Sequence, residues 1–76
     1  MIDIEEAVYF LMASARYEND GTDTKLSWTK EGNTVANGRF KNDTGTVTVK
    51  IEGQEQVFKG NDAKRLRNLG VLQAAN

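Results

Sequence analysis

The chain contains no cysteine, no histidine and no proline. Without cysteine there is no disulfide, no thiolate nucleophile and no sulfur ligand for zinc or an iron–sulfur cluster. Without histidine, the usual general base of a hydrolytic triad is missing, as is the commonest nitrogen ligand of a metal ion. No cofactor and no metal are therefore expected. The lack of proline leaves the turns to glycine, asparagine and aspartate. Also missing is any apolar run near the roughly 18 residues that a spanning helix needs. Asp3, Glu5 and Glu6 stand where a secretory signal would be basic. These absences predict a soluble cytoplasmic protein with no membrane contact. A chain that starts at Met1 and shows no tag is expected to be a complete small reading frame.

The 76 residues are expected to form one domain, residues 1–76. A chain near this size buries about 60% of its unfolded surface, so its stability is a few kcal/mol and a partner adds to it readily. The formal net charge of −1 is unevenly spread. Residues 1–23 hold six acids and one base, a net of −5, and residues 24–76 hold nine bases and five acids, a net of +4. The basic part alternates with acids, and by charge alone it gives only a weak attraction to polyanions.

Ile4, Ala7, Val8, Leu11, Met12 and Ala15 recur at helical spacing. Asp3 and Glu6 have the spacing of a capping box, and three acids near the start suit the helix dipole. A helix is predicted over 3–18, stopped by Asn19-Asp20-Gly21. The apolar period then changes to two. Strands are predicted over 24–30, 34–41, 46–52 and 55–59, joined by turns at Glu31-Gly32-Asn33, Asn42-Asp43-Thr44-Gly45 and Glu52-Gly53. A second helix is predicted over 62–69, capped by Asn61 or Asp62 and stopped by Gly70, with 70–76 as a fraying tail. The expected fold is α+β: an N-terminal helix packed on a four-stranded antiparallel meander, followed by a short C-terminal helix (α-β-β-β-β-α). The expected core is Ile4, Val8, Leu11, Met12, Leu26, Trp28, Phe40, Val47, Val49, Ile51 and Leu66.

The first helix carries more apolar side chains than one buried stripe requires. Tyr9, Phe10, Ala13 and Tyr17 lie between the inner positions, and they form the candidate protein interface, toward another protein or a second copy. Arg39, Lys41 and Lys50 on the outer sheet face, with Lys64, Arg65 and Arg67 on the last helix, form a candidate nucleic-acid surface. An ordinary solvated face explains the same charges. Glu5 with Glu6, and Glu52 with Glu55, sit at a helix start and a hairpin, where acids need no catalytic reason. Asp20 and Asp23 are too sparse for a calcium loop. Asn42-Asp43-Thr44 matches a glycosylation acceptor but reads better as a turn.

The residues thus point to a small non-enzymatic binding or regulatory protein that acts through a protein–protein surface. Inhibitors and regulators from phages and mobile elements, and homodimers, are built on this scale. The alternative is a weak nucleic-acid-binding module. No motif points to a known family.

Overall fold

The computed structural model describes residues 1–19, 25–40 and 45–74. The fold is α+β: helix α1 (Ile4–Ser14), strands β1 (Arg16–Asn19), β2 (Lys25–Lys30), β3 (Asn33–Arg39), β4 (Thr46–Ile51) and β5 (Gln54–Lys59), and helix α2 (Gly60–Ala74). The five strands form one open antiparallel sheet in the order β1-β2-β3-β4-β5, one strand more than the sequence pattern predicts. Asp20, Gly21, Asp23, Lys41, Asn42, Asp43 and Thr44 lie outside the described residues.

The start of α1 is local chemistry. Asp3 has an extended backbone, and its carboxylate accepts from the Glu6 amide at 2.8 Å. The end of α1 is not local. The helix is predicted to reach residue 18 but stops at Ser14, and Ala15 is extended at φ −116° and ψ 146°. Ser14 turns its hydroxyl back to the Phe10 carbonyl at 2.6 Å, a bond that weakens a helix. Beyond it, Tyr17 pairs with Trp28 across β1 and β2. Ala15 and Tyr17 both pack on the core, a spacing of two that suits a strand as well as Leu11 and Ala15 suit a helix. The sheet ladder wins because it supplies partners for both the backbone and the Tyr17 ring.

Register places one apolar side chain from each inner strand in line. Trp28, Ala36 and Val49 form one row, and Leu26, Gly38, Val47 and Phe58 form the next. A bulge between Trp28 and Thr29 leaves Val35 without an opposite residue. Helix α2 lies across this inner face against β1, β2, β4 and β5, and it also packs on α1. The main helix of the second layer is therefore the C-terminal one. It runs to Ala74 rather than 69. Gly70 is not its stop but a contact point: a Cβ there would lie 2.7 Å from Tyr17 Cε2 and 3.0 Å from Trp28 Cζ2. Only a residue without a side chain lets the helix settle onto these two rings.

Glu5 lies against Arg65 and Leu11 against Gln73, so the two helices run side by side in the same direction. The core joins Ile2, Ala7 and Leu11 to the sheet rows and to Ala63 and Leu66 of α2. Met12, expected inside, is 63% exposed, because α2 covers the Ala7–Leu11 side of α1 and, among the described residues, no element covers the adjoining one.

The β2–β3 and β4–β5 hairpins turn through Glu31-Gly32 and Glu52-Gly53, with all four residues at positive φ (53° and 83°, 49° and 83°). This is the backbone of a two-residue type I′ turn, where asparagine followed by glycine is preferred. Glutamate in the left-handed region costs about 1 kcal/mol, which asparagine largely avoids. Glu31→Asn combined with Glu52→Asn is expected to stabilise the domain by about 2 kcal/mol in urea denaturation. An unchanged or lower midpoint contradicts this account of the turns.

Candidate functional site

The four aromatic and alanine candidates of the first helix do not form one surface. Tyr9 is 76% exposed, and Ala13, one turn further along the same side of α1, is exposed too. Phe10 is half-buried, with the Lys30 ammonium 5.6 Å from its ring centroid. Tyr17 is on β1, not on the helix. Its ring meets Trp28 edge-on at 5.4 Å and 65°.

Met12 and Leu72 take the places of Phe10 and Tyr17 on the exposed surface. They are 63% and 65% exposed and stand on the two helices at either side of a groove of about 460 Å³, lined also by Ala15, Arg16, Tyr17, Leu69 and Gln73. Leu72 lies beyond Gly70, in the segment that the sequence pattern assigns to a tail. The signal that could have found it is the spacing Leu66, Leu69, Leu72 and Gln73, which carries the helical period through Gly70.

The groove floor is held by one amide. The fully buried Trp28 indole donates from Nε1 to Gln73 Oε1 at 2.7 Å, and Gln73 Nε2 donates to the Leu11 carbonyl at 3.0 Å. Leu11 lies in the last turn of α1, where carbonyls have no partner within the helix. Gln73 thus joins β2, α2 and the end of α1 in one hydrogen-bond chain. The other end of the helix pair is closed by Arg65, whose guanidinium forks onto both Glu5 oxygens at 2.5 and 3.2 Å. The hydrogen bonds and charge of Arg65 hold the Glu5 carboxyl below its ordinary range.

The candidate nucleic-acid residues are divided between two faces. Arg39 and Lys50 are exposed on the outer sheet face, while Lys64, Arg65 and Arg67 belong to α2, the layer on the opposite side. Arg65 is engaged by Glu5, and the Arg67 guanidinium lies 5.6 Å from the Phe40 ring centroid. Lys50 lies 3.9 Å from Glu55. Lys41 is outside the described residues. Strand register instead places Arg39 with two cations outside the candidate set, Lys25 and Lys59.

Glu5 at the helix start and Glu55 beside the hairpin each have a cationic partner, Arg65 and Lys50. Among the described residues no three acids cluster as a metal site would require. No helix among them is long and apolar enough to cross a membrane. No family model matches the chain, and no curated protein or solved structure is significantly similar to it.

Proposed function

We propose that this chain is a non-enzymatic binding protein whose working surface is the exposed seam of α1 and α2, and that the seam receives a second copy of the same chain. The observation that carries the reading is the pair Met12 and Leu72, two large apolar side chains more than half exposed on opposite sides of one groove. A core that leaves such groups in water has a use for them elsewhere.

Self-pairing is favoured by the order of side chains along α1. Glu6, Tyr9 and Ala13 follow one another along α1, all exposed. Laid antiparallel on its copy, this ridge sets the Tyr9 ring against the small Ala13 in both directions, as a two-fold contact requires. The ridge is short: α1 has 11 residues, about 16 Å of helix. Such a contact lies at the small end of specific interfaces and corresponds to micromolar association.

Sedimentation equilibrium across the micromolar range tests this. The parent chain is expected to dimerise. Met12→Glu, Tyr9→Glu and Leu72→Glu each shift it toward monomer. A parent chain that stays monomeric throughout overturns the second-copy reading. The tyrosines are not equivalent as probes: Tyr9→Glu changes the surface alone, whereas Tyr17→Glu strikes the packing on Trp28.

A further inference from the structure

The outer face of the sheet carries an unusual juxtaposition. Lys25 and Arg39 are directly opposite each other across β2 and β3. Like charges in this relation destabilise a sheet. Arg39 in turn lies opposite Thr46, and Thr46 opposite Lys59, so three exposed cations share one cross-strand row over four strands. Among the described residues none of the three has an ion-pair partner, in contrast to Lys50 and Arg65.

In the neighbouring row Ser27 lies opposite Asn37 and Asn37 opposite Thr48, with Glu18 of β1 and Val57 of β5 at the two ends. Lys25, Ser27, Asn37 and Arg39 together line an open groove of about 420 Å³ over the backbone of Leu26 and Gly38. Cations and neutral hydrogen-bond donors thus converge on one hollow, and among the described residues no helix lies over it, because α2 covers the opposite face.

We infer that this row is a binding site for the phosphates of a single-stranded nucleic acid. Charge complementarity carries the inference. A like-charged cross-strand pair is relieved by an oxyanion between its members. Arginine forks onto phosphate oxygens, lysine adds a mobile point charge, and the serine hydroxyl and asparagine amide supply neutral donors. A broad sheet face fits a strand laid across it, whereas reading a duplex in its major groove takes a projecting helix or ribbon. The large aromatic side chains of the strands, Tyr17, Trp28 and Phe58, pack on the inner face. Bases therefore gain no stacking platform here, and the binding is to backbone, weak and indifferent to sequence.

Fluorescence anisotropy with a labelled oligothymidylate tests this. Binding is expected at low salt, with an affinity that falls with salt at a log–log slope of about −2, the value for three neutralised phosphates on a single strand. Lys25→Gln with Arg39→Gln should weaken it on the order of tenfold and flatten the slope. Lys64→Gln with Arg67→Gln, on the other face, should leave both unchanged. The sheet variant should also unfold at higher urea than the parent in low salt, since a repulsion has been removed. The site is overturned by absence of binding at low salt. It is overturned equally by full affinity in the sheet variant, by a loss confined to the α2 variant, or by a poly-glutamate peptide displacing the oligonucleotide more effectively than unlabelled oligothymidylate does.

Discussion

Gly70→Leu is expected to abolish folding at 25 °C, and Gly70→Ala to destabilise the domain by about 1 kcal/mol. The alanine case sets two effects against each other. In a helix interior, glycine is worse than alanine by about 1 kcal/mol, so propensity alone favours the change. Against it stands the space: an added Cβ would be 2.7 Å from Tyr17 and 3.0 Å from Trp28. Tyr17 can yield only by leaving its edge-on contact with Trp28, and Trp28 is fully buried and tied to Gln73. Overpacking of this kind costs about 1–3 kcal/mol, which outweighs the propensity. Leucine adds three more carbons to the same point, and the total stability of so small a domain is a few kcal/mol. Circular dichroism with urea denaturation measures both variants. A more stable alanine variant would show that the two rings have room to move, and that α2 does not seat on them as described.

Gln73→Ala carries the second large effect, a loss of about 2–4 kcal/mol. Removing the amide leaves two groups without a partner: the Trp28 indole N–H, in the centre of the core, and the Leu11 carbonyl at the end of α1. Each buried group left unpaired costs about 1–3 kcal/mol. The carbonyl, at the groove floor, can be reached by water and falls at the low end. Gln73→Glu separates the two bonds. It keeps an acceptor for Trp28 and loses the donor for Leu11, so its cost should be the smaller. Intrinsic tryptophan fluorescence reports the same event, because Trp28 is the only tryptophan in the chain. A Gln73→Ala midpoint equal to that of the parent would contradict the linking role of this residue.

Both residues belong to a segment that the sequence assigns to a helix stop and a tail, and the reason is physical. Glycine followed by apolar and small polar residues has the same local pattern whether it ends a helix or lets one pack closely. Only the rings on the far side of the contact decide, and they come from β1 and β2. The same holds for residues 16–19, whose strand character depends on Trp28 being opposite Tyr17. Features whose partners are near in sequence were legible: the Asp3 cap, both Glu-Gly turns, the alternation of β4, and Leu66 as an inner residue of α2. The candidate surfaces divide in the same way. That α1 has apolar side chains to spare was legible. Which of them remain exposed depends on how α2 lies, and so Met12 and Leu72 replace Phe10 and Tyr17. The row of Lys25, Arg39 and Lys59 is visible only once strand register is known, because nothing in a linear sequence sets those three side by side.

The strand order has a consequence for synthesis of the chain. Each strand pairs with its neighbour in sequence, so the sheet can assemble hairpin by hairpin as it leaves the ribosome. Its apolar face cannot be covered at that stage, since α2 begins only at Gly60. Until residues 60–74 emerge, Trp28, Val47 and Val49 face solvent on a nascent sheet, and α1 lacks the helix it packs beside. That interval, rather than the finished fold, is when the polypeptide is most exposed to aggregation and to chaperones.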